Sequence, residues 1–260
     1  VSHGFYSDPA LYELLHAGGT SDEVWFLERL MHLHGNGGKT ALEPACGTGR
    51  YLAGLARKGW TVHGYDLSSK MVAFARQRLK KWSKKATVAR GDMVSYRPKA
   101  KYDFAFNLLS TFRHLLDDKD ALAHLRGVAA SLNPGGLFVL GMDLARYGED
   151  QPDEEHWSVT RGGRRYTHVM MTLPPDARRR RERILNFVTV PTASGQKVLE
   201  SIYDLRAYDA GELANLLLKT PFALAGCYGY DGKPASLCGD QQALWIVLKL
   251  PAEKPKKGKR

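Results

Sequence analysis

Leu42-Glu43-Pro44-Ala45-Cys46-Gly47-Thr48-Gly49-Arg50 is followed, seventeen residues after Gly49, by Asp66 in Val62-His63-Gly64-Tyr65-Asp66-Leu67. An acidic residue, a loop of small residues and a second acidic residue after the next apolar run predict a ligand-binding crevice in a β-α-β unit. Small residues admit a ligand close to the backbone, and a carboxylate at the tip of the second strand accepts hydrogen bonds from both hydroxyls of a ribose. The loop excludes two nucleotide classes. A dinucleotide fingerprint needs a third glycine or alanine, yet that position falls on Leu52 or, one frame earlier, on Arg50. No Gly-Lys-Ser/Thr follows to cradle a nucleotide phosphate.

Outward from this loop the chain alternates short apolar strands with amphipathic helices. Strands are predicted over Thr40–Ala45, Thr61–Asp66, Ala86–Arg90, Tyr102–Leu108 and Leu137–Met142, and helices over Arg50–Lys58, Lys70–Trp82 and Lys119–Leu132. Met71, Phe74, Ala75 and Leu79 keep helical spacing, as do Leu122, Leu125, Val128 and Leu132. This order implies a parallel, doubly wound sheet. Two helices precede it: Pro9–Ala17, and a second capped by Thr20 or Ser21 that stops at Gly35–Gly38. After Asp143 the rhythm becomes strand-like over His156–Thr160, Arg164–Leu173, Arg183–Val190 and Lys197–Tyr208, with turn signals between. A helix over Ala210–Lys219 and strands over Ala223–Tyr230 and Gln242–Leu250 complete the chain. The expected domains are a helical cap (1–38), a core (39–145 and 209–250), an inserted antiparallel lid (146–208) and a disordered basic tail (251–260).

The 260 residues are 43% hydrophobic and 25% charged, an ordinary globular balance. No run of eighteen apolar residues occurs, so no membrane span is expected, and the first residues lack the pattern of a signal peptide. Cys46, Cys227 and Cys238 show no metal-ligand spacing, which points to a reducing, cytoplasmic setting and no metal. Cys46 serves the loop as a small residue. Of the net charge of +11, eight charges sit in Arg178–Arg183 and Glu253–Arg260, leaving the body near neutral. The first run follows a Pro-Pro-Asp turn and reads as a solvated hairpin, with contact to RNA or another polyanion as the alternative.

The pattern Glu-x-Ala-x-Gly-x-Gly with its later Asp resembles the class I S-adenosylmethionine-dependent methyltransferases. Ala89-Arg90-Gly91-Asp92-Met93, Tyr102-Asp103-Phe104-Ala105-Phe106-Asn107-Leu108-Leu109 and Leu132-Asn133-Pro134-Gly135-Gly136 resemble later segments of that family in the same order. With Tyr203, Leu205, Arg206, Tyr208, Glu212 and Leu213, then Tyr230-Asp231-Gly232 and Pro234, the chain is similar to its small-molecule branch. That branch contains amino-sugar N,N-dimethyltransferases and glycine N-methyltransferase-like enzymes. The likeness covers about residues 5–250. Ala45 stands where many relatives carry Gly, a change expected to be harmless.

The resemblance implies an α/β, Rossmann-like doubly wound seven-stranded sheet with an antiparallel last strand, plus the antiparallel β insertion after strand five. It also implies S-adenosyl-L-methionine as cofactor and S-adenosyl-L-homocysteine as product. Glu43 would face the methionine ammonium, Arg50 its carboxylate, and Asn107 and Leu108 its side. Asp66 would hold the ribose or cap the next helix, with Leu67 and Met71 beside it. Gly91, Asp92 and Met93 would receive the adenine, and Tyr6 and Tyr12 would close over the donor together with Ala45, Gly47 and Gly49. For the acceptor, Trp157, Tyr166, His168, Tyr203, Arg206 and Tyr208 line the lid, and His114 is the best-placed general base. The acceptor is expected to be a small molecule, foremost an amine; the protein is expected to be free of membrane and nucleic acid, with a homodimer compatible. Methylation of RNA or protein, and donor binding without catalysis as a sensor or scaffold, are the competing readings.

Overall fold

The computed structural model describes residues 5–252; residues 1–4 and 253–260, and with them most of the expected tail, lie outside the described residues. Strands β1 (Thr40–Pro44), β2 (Thr61–Asp66), β3 (Ala86–Arg90), β4 (Tyr102–Asn107) and β5 (Leu132–Asp143) pair in parallel, and β10 (Ala223–Gly229) and β11 (Ala243–Lys249) extend the sheet. The order is β3-β2-β1-β4-β5-β11-β10, and β11 runs opposite to the other six strands, antiparallel to both β5 and β10. The chain leaves β1 toward one edge and returns at β4 toward the other. Ligand crevices of open α/β sheets open at such a reversal, beyond the carboxyl ends of the strands.

Helices α2 (Thr20–His34), α3 (Arg50–Arg57) and α4 (Ser69–Leu79) cover one face, and α5 (Asp118–Ala130) and α6 (Ala210–Leu217) the other. Strand alternation sorts the core between these layers. Phe104 and Phe106 of β4 and Leu137 and Val139 of β5 join Leu27, Leu30, Leu52 and Leu55. Ala105, Phe138 and Leu140 turn to Leu125, Val128, Leu213 and Leu216. Both sheet faces are dry, which is why these strands read as continuous apolar runs. Gly49 starts α3 at φ +69, and an added Cβ would lie 3.0 Å from that of Ala75, so glycine is required here on both counts.

Two α-helices precede β1; the first, α1 (Pro9–His16), is capped by Asp8, whose carboxylate accepts from the N–H groups of Ala10 and Leu11. Helix α2 is capped differently from expectation. Its N-cap is Gly19 at φ 75, and Thr20 turns its hydroxyl back to the Ala17 carbonyl. Strand β5 starts earlier than expected because Leu132 already pairs with Tyr102, with a bulge before Phe104.

Strands β6 (Asp153–Arg161), β7 (Arg164–Thr172), β8 (Arg181–Thr192) and β9 (Gly195–Arg206) form a separate antiparallel sheet in chain order, here called the lid sheet. Its two connections to the core run side by side, joined by a hydrogen bond from Ala145 N to Tyr208 O of 2.8 Å. Arg180, in the β7–β8 turn at φ 54, ion-pairs with Asp118 (3.4 Å) and Glu212 (2.6 Å). Arg183 pairs with Asp204 at 2.9 Å. Within the run Arg180 is thus an internal tie to the core, whereas Arg178, Arg179 and Arg183 are exposed, as the solvated hairpin read from their charge requires. No described helix is long and apolar enough to cross a membrane.

Two histidines are held neutral by this packing. Burial lowers His16 to about 3, helped by His168 and Arg50, and lowers His124 to about 4. Both groups have folded-state values below 6.5, so the unfolded chain binds more protons as pH drops. Their contribution is complete above 6.5 and is lost as pH falls from there toward 4 and 3. The thermal midpoint should therefore decline steadily from about pH 7 to about pH 5, and replacing His124 with Leu should flatten the decline. A midpoint constant across that range would refute the neutral burial of both rings.

Candidate active site

Every expected donor residue that belongs to the strand ends falls in one place, beyond the carboxyl ends of β1, β2 and β4. Asp66 Oδ2 accepts from Gly47 N at 2.8 Å, and Oδ1 accepts from Ser68 N at 2.8 Å. One carboxylate thereby fixes the loop at Gly47, which sits at φ 51, and the turn into α4. A carboxylate offers about four acceptor positions, so two remain. The cap of α4 is Ser68, whose hydroxyl accepts from Met71 N, and not Asp66 itself. Met71 is buried beneath the turn, whereas Leu67 is 62% exposed at the rim.

Glu43 ends β1 almost fully buried, with Oε2 lacking any hydrogen-bond partner. Burial pushes its carboxyl well above the usual range; Arg50 opposes this and Asp66 adds to it. A buried carboxylate oxygen without a donor calls for one. Asn107 donates from Nδ2 to Pro44 O at 2.7 Å, locking the ends of β4 and β1 together and leaving its Oδ1 unpartnered. These orphan acceptors fit the ammonium of an amino-acid moiety. Leu108 is buried next to Asn107. Leu109 and Ser110 follow at φ 53 and 55, two successive left-handed residues without glycine. Strain of this kind, roughly 1–3 kcal/mol per residue, concentrates at functional loops. Ala45 is also left-handed, at φ 51, so it is not the neutral replacement of glycine expected; alanine there costs about 1 kcal/mol.

Where the adenine is expected, Asp92 Oδ1 accepts from Val94 N at 2.7 Å, and Met93 is held from below by His124, which bonds its carbonyl at 3.0 Å. Gly91 leaves room for Tyr96: an added Cβ would lie 2.5 Å from that ring.

Helix α1 roofs the loop. Thr48 donates to Glu13 (2.6 Å), Glu13 pairs with Arg78, and Arg50 donates to the carbonyl of His16 and to Thr20 Oγ1 (3.0 Å). Arg50 also donates to the Tyr51 hydroxyl, at 2.5 Å. Its guanidinium is engaged by the cap, not left open toward a ligand carboxylate. Tyr12 lies over the loop, 4.0 Å from where a Gly47 Cβ would stand, and its ring lies 5.6 Å from that of Tyr6, tilted by 33°.

The lid sheet meets this roof through one face. Strand alternation places Trp157, Tyr166, His168 and Tyr203 on it together. Trp157 donates to Leu15 O at 3.0 Å, and its ring lies 4.2 Å from that of His168. Tyr166 packs near Leu11 and Leu15. The Tyr203 hydroxyl is 3.0 Å from that of Tyr6, and its ring is 5.4 Å from His114. His114 is exposed at this junction, and its crowded surroundings and Arg113 lower its pKa, which keeps the ring neutral and able to accept a proton.

Two expected acceptor contacts fall elsewhere. Arg206 is buried and bonds Leu116 O (3.2 Å) and Asp118 (2.8 Å), tying β9 to the core. Tyr208 is fully buried and stacks on Phe112 at 5.8 Å. Both sit where the chain leaves the lid, past the point at which β9 faces the cleft.

Several site residues had been missed. Glu13 and Thr48 make the roof contact. Ser110 donates to Asp143 Oδ2 at 3.0 Å at the end of β5. Arg113 pairs with Glu182 across the core–lid joint, both side chains buried, and donates to Arg206 O at 2.9 Å. The position of Asp143 at the carboxyl end of a strand beside β4 was the readable signal for it.

Residues 41–136 match the family described as methyltransferase domain, and the chain has the fold of class I S-adenosylmethionine-dependent methyltransferases. The dTDP-3-amino-3,6-dideoxy-alpha-D-glucopyranose N,N-dimethyltransferase of Streptomyces fradiae is 32% identical over 133 residues, 50% of this chain and 51% of that protein. A dTDP-3-amino-3,4,6-trideoxy-alpha-D-glucopyranose N,N-dimethyltransferase of Streptomyces venezuelae is 28% identical over 133 residues, 50% of this chain and 54% of that one. The aligned stretch thus spans about half the length of these curated relatives. Among solved structures, Streptomyces venezuelae DesVI superposes with a TM-score of 0.76 at 21% identity, covering 93% of this chain and 97% of that one.

Proposed function

We propose that the protein is an S-adenosylmethionine-dependent methyltransferase acting on the amine of a small molecule. The observation that carries this reading is the roofed cleft. Helix α1 is bonded at once to the glycine loop through Thr48–Glu13 and to the lid sheet through Trp157–Leu15. With helix α1 and the lid sheet laid over the loop, an acceptor would have to fit between these layers, which suits a small molecule over a polymer. The bound donor would supply an activated methyl group on a sulfonium, with a thioether as leaving group. The chain's own residues then have to hold two reactants in line and keep water out. Glu43 and Asn107 would take the donor ammonium, Asp66 the ribose and Asp92 with Met93 the adenine. Tyr6, Tyr12 and Tyr203 would screen the reacting centre, and His114 would take the proton released from the acceptor nitrogen. The free state of all three cysteines accords with a cytoplasmic setting.

Glu43 supplies a distinctive test. Its carboxyl is protonated over part of the range above 4.5, and an ammonium partner would ionise it. Donor binding should release a proton, and affinity should rise with pH above 4.5 until the carboxyl is ionised in the free protein. Calorimetry in buffers of different ionisation enthalpy reads this directly, and Glu43→Gln should abolish the proton release. The absence of any binding to S-adenosylmethionine or its demethylated product would sink the whole reading. Binding without methyl transfer to any extract fraction would leave only a sensor or scaffold.

A further inference from the structure

The inner face of the lid sheet carries a polar row that no role described so far uses. Glu155 opposes Met170, Met170 opposes Asn186, and Asn186 opposes Ser201, each directly in register. Opposed side chains in an antiparallel pair share a face, with β-carbons about 5 Å apart. Ser201 is therefore on the same face as Tyr203, two residues on, whose ring contacts Tyr6 and His114. The alternate residues Val198 and Ile202 point the other way and are half-exposed.

Asn186 and Ser201 are 1% and 2% exposed, and Asn186 Nδ2 and Ser201 Oγ have no hydrogen-bond partner. Asn186 Oδ1 lies 2.7 Å from His168 Nε2, so that end of the amide is engaged and Nδ2 is its open atom. Two neighbouring buried polar groups left open, one a donor and one both donor and acceptor, are costly unless a ligand completes them.

The row ends in a carboxylate. Glu155 is held above its usual range by its surroundings, then by Asp143 and Asp153. Neither Glu155 nor Asp143 has an ion-pair partner among the described residues. Glu149 and Asp150 before β6 and Asp153 and Glu154 at its start are exposed, and among the described residues only Glu149 of these is ion-paired, with Arg146. The approach to the row is negative in a chain whose overall charge is +11. A diphosphate would be repelled here and a cation drawn in.

We infer that Asn186 and Ser201 are the specificity-determining pair of the acceptor cleft, and that the acceptor they fit is a cationic amine bearing adjacent hydroxyl groups and no nucleotide. Asn186 Nδ2 donates to one hydroxyl oxygen, Ser201 Oγ exchanges a hydrogen bond with its neighbour, and Glu155 and Asp143 receive the charged end. This assignment rests on the methyltransferase reading, and the experiment keeps the two apart.

Purified full chain with S-adenosylmethionine is offered four probes: 2-deoxystreptamine, glucosamine, cyclohexylamine and a thymidine-diphosphate-linked amino hexose. At least one of the two free hydroxylated amines should be methylated with kcat/KM roughly 100-fold above cyclohexylamine, because a site built for hydroxyls rejects an analogue lacking them. The nucleotide-linked sugar should fall below the same amine. On that amine, Asn186→Leu and Ser201→Ala should each raise KM about tenfold or more, with kcat within a few-fold. Donor affinity by calorimetry should be unchanged in both, which also reports that they fold. Equal use of cyclohexylamine, preference for the nucleotide-linked probe, or an unchanged KM in both variants would overturn the inference. So would donor binding with methyl transfer from extract to other acceptors but to neither hydroxylated amine. Loss of donor binding in the unaltered protein would instead strike the methyltransferase reading itself.

Discussion

Asp66→Ala should lower affinity for S-adenosylmethionine by roughly 100-fold or more, because it removes two kinds of contact together. The side chain that would receive the ribose is also the one that fixes Gly47 through its N–H at 2.8 Å. Without it the loop loses its anchor and the ligand loses its acceptor. Asp66→Asn, which keeps one oxygen, should fall between the two. Calorimetric titration measures all three proteins, with circular dichroism to confirm folding. A loss below about tenfold for Asp66→Ala would show that the carboxylate serves the loop turn alone.

Arg113→Ala should destabilise the protein by about 3–5 kcal/mol, the usual result of leaving a buried charge without its partner. Its guanidinium pairs with Glu182 of β8 and donates to the Arg206 carbonyl of β9, from a 3-10 turn that also carries His114. Glu182→Ala should do similar harm. The double replacement Arg113→Met with Glu182→Leu should recover most of the stability, since apolar pairs of like volume often match a buried ion pair. Denaturant unfolding of the three variants decides it. If the double variant is as unstable as the sum of the single ones, the ion pair is not what joins these elements.

Much of the fold was legible because each β-α-β unit writes its own period into the sequence. The runs Thr61–Asp66 and Ala86–Arg90 match the observed strands residue for residue, as both are buried strands bounded by turns. Asp66 and the glycine loop were legible for the same reason: their chemistry is local. Legibility failed where the answer depended on distant partners. Arg206 and Tyr208 looked like cleft residues by composition, but the exit from β9 turns them into the core, where Asp118 and Phe112 wait from another layer. Arg180 looked like surface charge until its partners Asp118 and Glu212 were brought to it by folding. Ala45, Leu109 and Ser110 give no local hint of left-handed backbone, because none is glycine. Asn186 and Ser201 were within reach: period-two counting back from Tyr203 puts Ser201 on its face, but only the register across β8 brings Asn186 beside it.

The single hydrogen bond between Ala145 and Tyr208 has a further meaning. It closes the doorway through which some sixty residues leave the core and return. With the two thresholds already adjacent, the core bears little extra loop-closure entropy whatever the length of chain beyond them, since that entropy grows only with the logarithm of loop length. On the proposed reading, the lid is in this sense a module set on a fixed donor-binding core, and change in the lid would alter what is methylated while the glycine loop stays as it is.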